Sequence, residues 1–88
     1  MKKILFIINP ISGTVSKARI PEAIDKYLDK EKFTYQIVNT ERAGQATELS
    51  RQAAADGYDV VVAIGGDGTV NEVARGIVHT NTALGIIP

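Results

Sequence analysis

The run Val60-Val61-Val62-Ala63-Ile64-Gly65-Gly66-Asp67-Gly68-Thr69-Val70-Asn71-Glu72 constrains the fold of this chain more than any other stretch. Its first five residues are apolar and mostly β-branched, and they end abruptly on glycine. A continuous apolar run of this kind reads as a strand buried on both faces, the pattern of a parallel sheet. The glycines then form a turn holding one carboxylate, and the residues after them open a helix. A strand covered on both sides requires helices on the faces of its sheet, so the rest of the chain is expected to supply further strand–helix units.

Ile4-Leu5-Phe6-Ile7-Ile8 is a second continuous apolar run, stopped by the turn chemistry of Asn9-Pro10-Ile11-Ser12-Gly13-Thr14. A helix is expected to open near Pro21, because proline suits the first helical position. Ile20, Ile24, Tyr27 and Leu28 fall on its apolar face, opposite Glu22, Asp25, Lys26, Asp29 and Lys30. Phe33 to Val38 alternates as a strand. After Asn39-Thr40-Glu41-Arg42-Ala43-Gly44, a second helix runs from about Gln45 to Asp56. Ala46, Leu49 and Ala53 form its small-residue face, and Gly57 stands at C′. A third helix, from about Val70 to Val78, places Val70, Val73, Ala74, Ile77 and Val78 at helical spacing. Ala83 to Ile87 is a last short apolar run. The expected fold is α/β: a parallel sheet of about four strands with helices on its faces, in the order β-α-β-α-β-α-β.

Composition removes several function classes. With 88 residues the chain makes one domain. It has no cysteine, which excludes disulfides, thiolate metal sites and a cysteine nucleophile, and its single histidine, His79, excludes paired-histidine metal motifs. His79 near a helix C-terminus reads as a partner of the helix dipole. Ten basic and ten acidic residues balance without long runs of one sign, so no nucleic-acid footprint is seen. The apolar start is shorter than the about 7–15 residues of a signal peptide's core, and no small-residue cleavage site follows it. A cytoplasmic protein is expected.

Chemistry is expected at the carboxyl ends of the strands, where open α/β sheets bind ligands. Three loops lie there: Asn9 to Thr14, Asn39 to Gly44, and Gly65 to Thr69. The glycines of the third let a backbone approach a ligand closely, and the helix after them offers its positive end, which together suit phosphate. Asp67 repels phosphate unless a Mg²⁺ lies between them or it holds a hydroxyl. The spacing is neither a dinucleotide fingerprint, whose third glycine would fall at Asn71, nor a P-loop, since no Gly-Lys pair occurs. Thr69-Val70-Asn71-Glu72 also fits a capping box, with Thr69 at N-cap and Glu72 at N3, and the residues alone leave that reading open. Lys17, Arg19 and Arg42 are long enough to reach a phosphate, but most exposed lysines and arginines are simply solvated surface.

Asn9-Pro10-x-Ser12-Gly13, then Thr40 and Gly44-x-Ala46, then Gly65-Gly66-Asp67-Gly68-Thr69-x-Asn71-Glu72-Val73 resembles the diacylglycerol kinase catalytic domain family, which includes bacterial lipid kinases, sphingosine kinases and ceramide kinases. The motifs occur in order over the whole chain. The glycine-aspartate loop by itself is shared with NAD kinases and phosphofructokinases. The asparagine-proline loop and Asn71-Glu72 favour the lipid kinases, with an NAD kinase-like enzyme or a non-catalytic nucleotide-binding module as the alternatives.

The resemblance implies an NAD kinase/diacylglycerol kinase-like N-terminal domain that binds ATP with Mg²⁺ and serves transfer of the γ-phosphoryl to a lipid hydroxyl. Asn9, Ser12 and Gly13 would line the nucleotide, with Thr40 contacting it from the second loop. Gly65, Gly66, Asp67, Gly68 and Thr69 would cradle the phosphates, supported by Asn71 and Glu72. Asp67 would be the catalytic acidic residue and the one nearest Mg²⁺. Two departures are visible: Gln45 stands where the family often has histidine, and Leu84-Gly85-Ile86-Ile87-Pro88 leads, in the family, into a further phosphate loop and a β-rich lipid-binding domain. Residues 1–88 are therefore expected to be the N-terminal part of such an enzyme, inactive alone, with the lipid acceptor and any peripheral membrane contact belonging to the remainder. Apolar surface and a sheet edge exposed by that division leave a homodimer open.

Overall fold

A computed structural model of the chain describes residues 1–10 and 19–87. The elements follow the expected order: β1 (Lys2–Ile8), α1 (Ile20–Tyr27), β2 (Phe33–Asn39), α2 (Gln45–Ala55), β3 (Val60–Ile64), α3 (Asp67–Ile77) and β4 (Ala83–Ile87). The sheet is all parallel, with strand order β2-β1-β3-β4. The two continuous apolar runs are its central pair, in register from Ile4 beside Val60 to Ile8 beside Ile64.

Strand alternation divides these runs between two cores. Leu5, Ile7, Val61 and Ala63 pack on one face against Ala46 and Ala53 of α2 and Val73 and Ile77 of α3. Ile4, Phe6, Ile8, Val62 and Ile64 pack on the other face against Ile24 of α1. The outer strands differ. In β2, Phe33, Tyr35 and Ile37 reach the α1 side of the core while Thr34 and Gln36 are exposed. In β4, Leu84, Ile86 and Ile87 are exposed at 38%, 55% and 38%.

Helix ends are set by local chemistry. Gly57, at φ 84, closes α2: its N–H donates to the Ala54 carbonyl and the Tyr58 N–H to that of Ala53, the paired bonds of a left-handed glycine cap. Helix α1 carries Pro21 in its first turn, as expected. Two apolar assignments need correction. Tyr27 is 78% exposed rather than in the core, because the helix ends there and the extended Leu28 turns inward instead; the Tyr27 ring lies near the Lys26 ammonium. Val78 lies beyond the end of α3 and is exposed. His79 follows it in the left-handed region, at φ 63.

Helix α1 is also tied to β2 by polar contacts. The Tyr35 hydroxyl donates to Asp25 Oδ1 at 2.9 Å, and Lys30 Nζ lies 2.7 Å from the same oxygen. These bonds, that of Lys30 first, lower the Asp25 pKa, while those of Lys30 and Tyr35 are raised chiefly by their bonds to Asp25. Among the described residues no helix is long and apolar enough to cross a membrane.

Candidate functional site

The strand order creates a crevice. The chain leaves β1 for α1 on one face and leaves β3 for α3 on the other, so the loops after these neighbouring strands diverge. Such a switch point is where open α/β sheets bind ligands. Backbone bonds hold three loop origins level there: the Asn9 N–H donates to the Ile64 carbonyl at 3.0 Å and the Thr40 N–H to the Ile8 carbonyl at 2.8 Å. The Thr40 hydroxyl also donates to the Ile8 carbonyl, at 3.4 Å. A cavity of about 210 Å³ opens above these bonds, lined by Asn9, Thr40, Arg42, Ala46, Thr69 and Glu72 among others. Arg42 is held there by an ion pair to Glu48.

Helix α3 starts at Asp67, three residues before the position expected from the sequence, with Gly66 as its N-cap. The Gly66 carbonyl accepts from the N–H groups of both Thr69 and Val70. Thr69 is therefore inside the first turn, and the Thr69–Glu72 capping box does not form. An acidic residue at the first helical position favours this earlier start, because it complements the helix dipole. Thr69 is 4% exposed and faces the cavity. Asp67 is exposed, and among the described residues its carboxylate has no hydrogen-bond or ion-pair partner.

Glu72 makes a different contact from the capping box. Its Oε1 accepts the Gly44 N–H at 2.9 Å, and its carbonyl accepts the Thr47 hydroxyl at 2.8 Å. Gly44 is the N-cap of α2, at φ 84, a conformation that favours glycine. Gly66 and Gly68 differ from it. Neither has a left-handed backbone, both are exposed, and a Cβ built on either meets nothing within 4 Å among the described residues. Among the described residues, neither backbone conformation nor crowding requires glycine at these two positions.

The structure thus gathers Asn9, Thr40, Thr69 and Glu72 at one cavity, with Gly65, Gly66, Asp67 and Gly68 on the loop and first turn that lead into Thr69. Asn71 is not among them. It lies about 200° around the helix from Thr69 and shares a surface depression with Ala74, Arg75 and Val78. Ser12 and Gly13 lie outside the described residues. Gln45 uses its side-chain oxygen to accept the Glu41 N–H at 2.6 Å, which braces the second loop. Thr47 was not anticipated; a threonine in a helix's first turn carries no periodic signal for a bond to another helix.

A Staphylococcus aureus diacylglycerol kinase is 40% identical over 90 residues, covering 99% of this chain and 28% of its own length. A Streptococcus pneumoniae protein bearing the name of a lipid kinase is 44% identical over 91 residues, covering 100% of this chain and 31% of its own length. The crystal structure of a diacylglycerol kinase from Bacillus anthracis superposes with a TM-score of 0.76 at 29% identity, over 99% of this chain and 30% of that one. The chain therefore spans about a third or less of the length of these relatives. Residues 3–88 match the diacylglycerol kinase catalytic domain, and with the glycine-aspartate turn placed at the sheet's switch point the chain belongs to that family.

Proposed function

We propose that this chain is the ATP-binding portion of a lipid kinase that transfers the γ-phosphoryl group of ATP to the hydroxyl of a lipid such as diacylglycerol. The observation that carries the reading is the pair Gly66 and Gly68 at the exposed opening of α3: among the described residues nothing crowds a Cβ at either, and the neighbouring Asp67 carboxylate has no partner there. A ligand whose phosphates come within hydrogen-bond distance of the backbone supplies the missing reason for glycine there. Asn9, Thr40 and Thr69 would line the nucleotide, and Gly65 to Thr69 would hold its phosphates.

Mg²⁺ fits this arrangement as part of the nucleotide complex. Among the described residues no cluster of three or more acidic or histidine side chains is placed to hold a metal alone. Mg²⁺ is commonly held by one or two carboxylates together with substrate phosphates, and Asp67 is such a carboxylate. Bound there, the ion would supply neutralisation of phosphate charge. Asp67 would orient the complex, and the loop N–H groups would hold the phosphates for transfer. Catalysis of this kind rests on positioning and electrostatics.

The acceptor pocket and the rest of the phosphate site belong, on this reading, to sequence beyond these 88 residues, as the share of the relatives' length supports. The chain alone then binds MgATP and phosphorylates nothing. Calorimetric titration with MgATP tests the first part: Asp67→Ala and Gly66→Val are expected to weaken binding, and equal affinity for parent and both variants refutes the site. Diacylglycerol phosphorylated by the 88 residues alone overturns the second.

A further inference from the structure

We infer that Glu72 is a positioning residue for the nucleotide site: it fixes the loop after β2 and acts without touching the nucleotide. The inference rests on the ATP-binding reading above. Gly44 opens α2 with no side-chain cap from its own segment. The cap comes instead from α3, where Glu72 Oε1 accepts the Gly44 N–H at 2.9 Å. A second bond runs in the same sense, from the Thr47 hydroxyl to the Glu72 carbonyl at 2.8 Å. The two bonds fasten the first turn of α2 to α3.

The cavity walls explain what this fastening does. Thr40 to Ala43 form one wall, and Thr69 lies in the other, one helical turn before Glu72 and on the same side of α3. The separation of the walls is therefore set where Glu72 meets Gly44. Charge gives the same answer. A carboxylate turned toward a triphosphate repels it, whereas at the start of α2 it meets the positive end of a helix. Glu72 thereby takes the N-terminus of α2 and leaves the phosphates to the opening of α3.

Calorimetry with MgATP on Glu72→Ala, Glu72→Gln and Thr47→Val tests this, together with ¹H–¹⁵N spectra of each without nucleotide. Glu72→Ala is expected to weaken binding about tenfold, the scale of one hydrogen bond to a charged group. Glu72→Gln keeps an accepting oxygen at the same place and is expected to recover most of that loss. The Gly44 amide signal should move in Glu72→Ala and stay in place in Asp67→Ala. Should Glu72→Ala fail to fold, Thr47→Val removes only the second bond and is expected to weaken binding by about threefold. A Glu72→Gln variant as weak as Glu72→Ala means direct contact through charge and overturns the inference. So does parental affinity in Glu72→Ala, or in Thr47→Val if that is the variant that folds. No ATP binding by the parent chain refutes the nucleotide reading itself, and the role of Glu72 with it; a Gly44 signal that still responds to Glu72→Ala marks that case apart.

Discussion

Gly68→Ala is expected to make the chain more stable and its nucleotide site worse. Gly68 is the second residue of α3, exposed, with open space around its missing Cβ among the described residues. Glycine costs a helix about 0.5–1 kcal/mol relative to alanine, and nothing at this position opposes recovering it. For a domain of this size the gain corresponds to about 2–8 °C in Tm. Binding should move the other way. A methyl group on the phosphate-facing backbone displaces the ligand from N–H donors worth about 1.5–3 kcal/mol each, so affinity for MgATP should fall at least about tenfold. Gly76→Ala, in the same helix, serves as the contrast. There a Cβ would stand 1.8 Å from Ser50 Oγ, 2.5 Å from the Thr47 carbonyl oxygen and 2.9 Å from the Arg51 nitrogen. The hydroxyl can rotate away but the two backbone atoms cannot, so overpacking of about 1–3 kcal/mol outweighs the same propensity gain. Thermal denaturation followed by circular dichroism gives the two signs, and calorimetry gives the affinities. A Gly68→Ala variant that binds MgATP as well as the parent refutes the argument that a ligand is the reason for glycine there.

Four further outcomes follow from the structure. Asp67→Asn should weaken binding of MgATP far more than that of metal-free ATP, measured by calorimetry with and without EDTA, whereas equal losses contradict a role for Asp67 beside the metal. The Asp25 carboxyl is held below its ordinary value of 3.8 by Lys30 and Tyr35, so its contribution to stability is present above that value and is lost as pH falls through the lower folded one. Acid titration of Tm should accordingly be flatter in Asp25→Asn than in the parent below about pH 4. Lys30 and Tyr35 are shifted upward, so their contributions are present below their ordinary values and are lost as pH rises through the folded ones; Tyr35→Phe should blunt the alkaline loss. Ile86→Lys, on the exposed and apolar edge strand β4, should lower self-association in sedimentation velocity with Tm little changed.

Burial of the central strands was legible because five consecutive apolar residues leave no face for water, and Ile4–Ile8 and Val61–Ile64 are indeed buried. Strand order was not. Alternating strands and helices imply a parallel sheet but do not by themselves say whether β1 or β2 lies beside β3; the difference between them is that β1 is continuously apolar, as a central strand is, and β2 alternates, as an edge strand does. The start of α3 was misplaced for a related reason. Thr69 and Glu72 have the spacing of a capping box, and only a contact across 28 residues, from Glu72 to Gly44, shows where that carboxylate goes. Gly76 was hidden because a glycine within an apolar helical pattern reads as a weakness, when here it allows α2 and α3 to touch at Ser50.

The glycines divide by what each is needed for, and that division bears on function. Gly44 and Gly57 answer to backbone conformation, and Gly76 to the contact between α2 and α3. Among the described residues Gly66 and Gly68 answer to neither, although Gly68 carries a helix-propensity cost in the first turn of α3. Gly68, costly to the free chain and unexplained among the described residues, points to a partner outside them. Where the two glycines lie narrows the partner's chemistry: at a helix N-terminus, at the switch point between β1 and β3, beside Asp67. An anion that approaches main-chain N–H groups, accompanied by a cation the carboxylate can accept, meets all three conditions, and MgATP is a ligand of that kind.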